Sequence, residues 1–226
     1  MRKFVQLSVL TLLSILFLSS YTLAFPVSPG DQITFAQGDG GLNGGGEFIV
    51  LNTDGEALFK TFCLERVEYI DFNSTFTVAD ISAYATNGGG GATNGKDYIS
   101  DSTRWLYWHY VNGTLDDAVG DFSYGDAGTN AVQYAIWRLE DEISTLPSQF
   151  GYIYTAARDF IELFAATDYA SFGNVQVMNL TYLNGNPAQS QLVSAPVPEP
   201  ATMLLLGAGL IGLAGVGRRK LSKKSN

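Results

Sequence analysis

The chain has 226 residues, of which 46% are hydrophobic, 13% aromatic and only 15% charged. That composition excludes disorder and leaves room for one domain with a substantial core between two distinctive ends. Residues 25–196 hold six Lys and Arg against 21 Asp and Glu, a net charge of −15, so a nucleic-acid-binding surface is excluded.

Residues 1–24 read as a signal peptide. Arg2 and Lys3 precede an apolar run from Val9 to Leu18, and Thr22-Leu23-Ala24 supplies small residues before a cut. The exported domain, 25–196, begins with strand-like alternation over Gln32 to Ala36. Gln37 to Gly46 is a Gly/Asn/Asp-rich loop. Glu47 to Leu51 and Ala57 to Leu64 are short β-type runs, turned at Asn52-Thr53-Asp54-Gly55. Val67 to Phe72 and Ser74 to Ser82 continue in the same manner. Ala85 to Gly95 contains Ala-Thr-Asn-Gly twice and reads as a loop or hairpin tip, because Gly and Asn-Gly admit positive φ. No Lys-Ser or Lys-Thr follows it, which argues against a phosphate cradle.

The middle of the domain is helical. Ser102 to Val111 stops at Asn112-Gly113. Asn130 to Ser144 places Val132, Ala135, Ile136, Leu139 and Ile143 on one stripe, with Asp126 or Thr129 as cap and Pro147 after its end. Phe150 to Ala166 turns Ile153, Ala157, Phe160, Ile161 and Phe164 inward. Val175 to Leu183 returns to strand, and a final run lies near Gln191 to Ser194. The fold class is therefore α+β: strands, in a sandwich or curved sheet, flanking a central helical section.

Residues 197–226 form a tail. Val197-Pro198-Glu199-Pro200 is followed by 17 apolar residues, Ala201 to Gly217, and by Arg218-Arg219-Lys220. As a helix the apolar run would measure about 25 Å, the short limit for a membrane span. The basic cluster would stay cytoplasmic as the stop. This tail resembles a PEP-CTERM sorting signal, with Pro198, Glu199 and Pro200 as the motif. The resemblance implies a transient anchor in the inner membrane and processing by an exosortase-type protease. Export to the cell surface or extracellular matrix would follow.

Cys63, in Thr61-Phe62-Cys63-Leu64-Glu65, is the only cysteine, so no internal disulfide is available. It is a buried small hydrophobe, an inter-chain partner, or a masked or catalytic thiol. Gln133 lies about 100° round its helix from Val132, at the margin of the buried face. That is where half-exposed surface glutamines also sit.

Phe62-Cys63-Leu64 together with Gln133, Ala135, Ile136 and Trp137 resembles the paired motifs of bacterial thioester domains. The likeness runs from about Phe59 to Glu142 and takes in Leu106-Tyr107, Gly113-Thr114-Leu115 and Leu139-Glu140-Asp141-Glu142. What it implies is a bond between the Cys63 sulfur and the Gln133 side-chain carbonyl, with loss of ammonia. Such chemistry needs a thiolate, a carboxamide held in place and a donor for the developing oxyanion. Backbone N–H groups at the helix start are candidate donors, Arg66 is the nearest cation in sequence, and His109 is the candidate base. Phe62, Tyr134 and Trp137 are candidate shields against water. The implied activity is covalent attachment to a surface nucleophile, once per molecule, so the chain is expected not to be an enzyme.

No cofactor or metal motif is present. Asp116, Asp117, Asp121 and Asp126 lack the alternation and closing Glu of an EF-hand and read as a solvated acidic loop. Two other function classes stand beside the covalent one. One is a structural or carbohydrate-binding protein of the exopolysaccharide matrix, with Cys63 simply buried. The other is a secreted carbohydrate-active enzyme.

Overall fold

Alternating side chains make the strands two-faced, and the chain uses both faces. The computed structural model describes residues 24–41, 45–86, 88–90, 92–120, 122–164 and 174–195, with the backbone alone at 159–164. The signal segment before Ala24, and the tail with Pro198, Glu199, Pro200, the apolar helix and Arg218 to Lys220, lie outside the described residues. Among the described residues no helix is long and apolar enough to cross a membrane.

Six strands form one antiparallel sheet: β1 (Gln32–Gln37), β2 (Glu47–Asn52), β3 (Ala57–Phe62), β4 (Phe76–Ser82), β7 (Val175–Tyr182) and β8 (Pro187–Ser194). Their order is β3-β2-β1-β4-β7-β8. A small hairpin, β5 (Tyr84–Ala85) and β6 (Asp97–Tyr98), carries the predicted Gly-rich tip. Asn94 and Gly95 turn there with φ of 54° and 72°, the left-handed pair that a tight hairpin needs. Between the hairpin and β7 lie α1 (Asp101–Val111), α2 (Leu115–Val119), α3 (Asp126–Leu139), a 3-10 turn at Ser148–Phe150 and α4 (Gly151–Phe164).

The sheet is rolled until its two edge strands meet. Cys63, just beyond β3, makes an antiparallel bridge with Gln191 of β8. The Leu64 N–H donates to the Ser190 carbonyl at 3.2 Å, and the Thr61 hydroxyl donates to the Leu192 carbonyl at 2.6 Å. Tyr107 of α1 spans the seam, its hydroxyl 2.7 Å from the Lys60 carbonyl and 3.3 Å from that of Leu192. Register shifts at Val78/Asp80 and Met178/Leu180 interrupt the central ladders. Such bulges add the twist and bend that rolling requires.

Rolling divides the interior in two. Ile33, Phe35, Phe48, Val50, Phe76, Val78, Met178, Leu180 and Val193 form a core with Cys63 and no helical residue, which is the inside of the roll. Phe62, Leu64, Val175, Val177 and Leu192 face the other way and pack under Trp105, Leu106, Val132, Ala135, Ile136 and Ile153. The strict alternation of Phe62, Cys63 and Leu64 between these cores is the strand period of two at work.

Several expectations are corrected. Val67 to Phe72 is not a strand. Val67 and Tyr69 are exposed, and the Gln189 side-chain amide donates to the carbonyls of Glu65 and Glu68 beside them. Helix α3 starts at Asp126, four residues early, after Gly125 at φ 108°, and neither Asp126 nor Thr129 caps it. Thr129 is buried with its hydroxyl 2.8 Å from that of Tyr110. The helix also ends at Leu139 and not Ser144, because Asp141 takes φ 58° and the Glu142 and Ile143 N–H groups turn back onto the Trp137 carbonyl. Helix α2 takes up Asp116 and Asp117 of the expected acidic loop, and Asp126 opens α3.

Asn179, buried in the β7 bulge, ties four elements together. It accepts from the Thr86 N–H and hydroxyl and from the Ser190 hydroxyl, and it donates to the Ser82 hydroxyl and the Tyr84 carbonyl. Asn179→Ala is therefore expected to cost about 2–4 kcal/mol, because it strands buried backbone groups. Tyr107→Phe, which loses only the bonds across the seam, should cost about 1 kcal/mol. Denaturant midpoints of the two variants check the order.

Candidate functional site

Helix α3 presents a second stripe beside its apolar one. Asp126, Asn130, Gln133 and Trp137 recur at helical spacing, and each meets the Gly-rich segment before β2. The Gly40 N–H donates to Asp126 Oδ1 at 2.9 Å and the Gly41 N–H to Asn130 Oδ1 at 3.1 Å. Gly45 lies flat on the Trp137 ring. A Cβ there would overlap that ring and stand 2.8 Å from Gln133 Cγ, so only glycine allows this approach.

Gln133 reaches the place where β2 and β3 stop pairing. The last pair of that ladder is Glu47 with Phe62, and the next would be Gly46 with Cys63. The Gln133 carboxamide stands between them instead. Its oxygen accepts the Cys63 N–H at 3.2 Å and the Gly46 N–H at 3.2 Å. Its nitrogen donates to the Cys63 carbonyl at 2.9 Å. Turned over, the amide would aim its own N–H at two donors, so the hydrogen-bond pattern fixes its orientation. Cys63 and Gln133 are both buried, at 0% and 1% exposure, so Gln133 is not the half-exposed residue its place beside the apolar stripe suggested. The two residues that the sequence paired thus share two hydrogen bonds across seventy positions.

The electrostatics differ from the expected ones. Burial pushes the Cys63 thiol up to about 12. A hydrogen bond from the Gln191 side chain pulls it down, and the Glu65 charge pushes it further up. Neither His109 nor Arg66 is among the groups acting on it. His109 sits half-buried at the end of α1, its Nδ1 2.8 Å from the Thr114 hydroxyl and its ring between Trp105 and Trp108. The paired N–H donors come from Cys63 and Gly46, not from a helix start, since Gln133 is the eighth residue of α3. Phe62 is buried edge-on against Tyr110. Trp137 is fully buried and Tyr134 half-buried, their rings 5.5 Å apart.

Two glutamines on the same seam are not apparent from the sequence, and Glu65, one of the carboxylates (with Glu68 and Glu140) that a carbohydrate-active enzyme could recruit, joins them there. Gln189 and Gln191 of β8 are buried, with the Gln191 amide donating to Gln189 Oε1 at 3.2 Å. Glu65 is buried too, and burial together with the charges of Glu68 and Glu142 raises its carboxyl to about 9. The legible signal was Gln189-Ser190-Gln191, three polar residues set in a strand between apolar ones. An open cleft of about 540 Å³ is lined by Arg66, Tyr134, Glu142 and Pro147, and neither Cys63 nor Gln133 lines it. Among the described residues no group of His, Cys, Asp and Glu is arranged to hold a metal ion.

Residues 196–220 match the model of the PEP-CTERM protein-sorting motif. That motif implies export, sorting to the cell surface and processing by an exosortase. No curated protein matches the chain. Among solved structures the chain is similar to the N-terminal thioester domain of fibronectin-binding protein SfbI from Streptococcus pyogenes. The identity is 14% and the TM-score 0.48, over 78% of this chain and 100% of that one. It is also similar to the N-terminal thioester domain of a protein F2 like fibronectin-binding protein from Streptococcus pneumoniae, at 12% identity and TM-score 0.46, over 76% and 97% of the two chains.

Proposed function

We propose that Cys63 and Gln133 form an internal thioester, and that the exported chain uses it once to bond covalently to a nucleophile at the cell surface or in the matrix. The observation that carries this reading is the Gln133 carbonyl oxygen held by two backbone N–H groups beside a buried cysteine. Two donors on one carbonyl oxygen are what a tetrahedral intermediate requires. At 3.2 Å they are long for that task in the resting amide and would tighten as negative charge builds on the oxygen.

The Cys63 sulfur adds to Gln133 Cδ, the C–N bond breaks, and ammonia leaves with the two amide hydrogens and the thiol proton. The departing nitrogen already donates to the Cys63 carbonyl, so that carbonyl marks where ammonia leaves and where an incoming amine would enter. Attack by a target amine then forms an amide at Cδ and returns Cys63 as a thiol. Each molecule acts once, so the chain is a covalent binder and not a turnover enzyme. Burial of both residues, with Trp137 and Gly45 over the carboxamide, keeps water from the bond.

A second reading rests on the raised thiol. In it Cys63 stays a neutral core residue, and the same three hydrogen bonds only fasten α3 to the sheet of a structural matrix protein.

Intact mass separates the two. The thioester predicts a deficit of one ammonia in the purified protein, and methylamine should restore it by adding its full mass. Cys63→Ala and Gln133→Glu should both abolish the deficit and the adduct; folded, unmodified protein at full mass would support the second reading. On either reading Gln133→Ala strands two N–H groups and a carbonyl in the interior, so it should cost about 3 kcal/mol or more by denaturant titration. Gly45→Ala should push the loop off Trp137 and speed spontaneous loss of the thioester in buffer, followed as the return of the mass of one water.

A further inference from the structure

Resting on the thioester reading, the structure assigns a proton carrier to it. We propose that Glu65 moves the proton between the Cys63 sulfur and the nitrogen that leaves or enters at Gln133.

The chemistry creates the need. When an amine opens the thioester, a C–N bond forms, the C–S bond breaks, nitrogen must lose a proton and sulfur must gain one. A thiolate is a poor leaving group inside this site, because burial favours the neutral thiol. A donor is therefore required at sulfur. Formation of the bond, with ammonia expelled, is the same step in reverse, so one carrier serves both directions.

Position singles out Glu65. It lies two residues past Cys63 on the same seam and is 0% exposed. One oxygen accepts the Ser190 N–H at 3.2 Å, in the strand that bridges Cys63. The other, Oε1, is buried and has no partner. Cys63 responds to the charge on Glu65, while the other side chains acting on it, Gln191 and Gln189, do not titrate. No ion pair among the described residues neutralises Glu65. Its titratable surroundings are acidic apart from Cys63. Glu68 and Glu142 act on it directly, and Asp97 Oδ2 faces the same glycine, Gly89, against which its own Cγ packs. Arg66, the next residue, lines the outer cleft. Glu65 thus holds its proton at neutral pH. It gives that proton to sulfur as the C–S bond breaks, and its carboxylate takes one from the incoming nitrogen, so protons balance over the cycle.

The test compares the full chain with Glu65→Gln and Glu65→Asp. Glu65→Gln keeps an acceptor for the Ser190 N–H and removes the exchangeable proton. It should unfold at the same temperature as the parent yet react with methylamine at least about tenfold more slowly, or fail to lose ammonia at all. Glu65→Asp should recover part of the rate. Taking the ratio of parent to Glu65→Gln at each pH cancels the amine's own ionisation. That ratio should fall toward one as pH rises through about 9, where Glu65 loses its proton. Equal rates for the two proteins across pH would overturn the assignment and leave the thioester standing. A parent with no ammonia deficit would overturn both. Should Glu65→Gln not fold, the partial rate of Glu65→Asp and a parent rate, corrected for free amine, that declines above pH 9 carry the assignment, and a flat corrected rate sinks it.

Discussion

The carboxamide of Gln133 occupies the place of a missing strand pair. Where Gly46 and Cys63 would have bonded to each other, both give their N–H groups to one side-chain oxygen. Through this substitution α3, the Gly-rich segment and the β3 seam are held as one unit, and the helix layer is locked in register with the rolled sheet. The arrangement depends on a carboxamide. A carboxylate would accept the same two N–H bonds but could give nothing to the Cys63 carbonyl, and a hydrocarbon would satisfy none of the three groups.

Rolling the sheet also explains why the thiol is so poorly ionised. Cys63 belongs to the core inside the roll, with Phe48, Val50 and Val193. Hydrogen bonds from the Gln191 side chain, its own backbone and the Gln189 side chain relieve it in part. Further along the same seam Glu65, Glu68, Asp97 and Glu142 crowd one another, and Asp97 is raised to about 6 by burial and by the Glu142 charge. A core that raises both the thiol and its neighbouring acid keeps both neutral at rest. On the thioester reading, reactivity then rests on proton placement and not on a standing thiolate.

The strands with apolar alternation, the Asn-Gly hairpin tip and the stripe of α3 were all legible, because each is a local period or a φ requirement written into consecutive residues. The pairing of Cys63 with Gln133 came from motif resemblance; spacing alone placed Gln133 only at the margin of its helix. Its burial depends on a second stripe, Asp126, Asn130, Gln133 and Trp137, whose polar members look like a solvated face until glycines are laid against them. Val67 to Phe72 has the composition of a strand, yet Val67 and Tyr69 stand exposed and the segment joins no sheet, so propensity lost to tertiary context there. The place of Glu65 and of Gln189 on the seam was hidden for the same reason. They are polar residues whose partners arrive from 121 or more positions away.

The meeting of β3 with β8 has a consequence for life among many copies. Open sheet edges are templates on which neighbouring molecules zip together. Here the seam takes up the end of β3 in its bond to β8, and the ladder positions beyond it are guarded. Pro187 opens β8 without an N–H to offer, and half-exposed Lys60 sets a charge on β3. A protein sorted to the cell surface with its sheet closed in this way offers neighbouring copies less free backbone on which to pair.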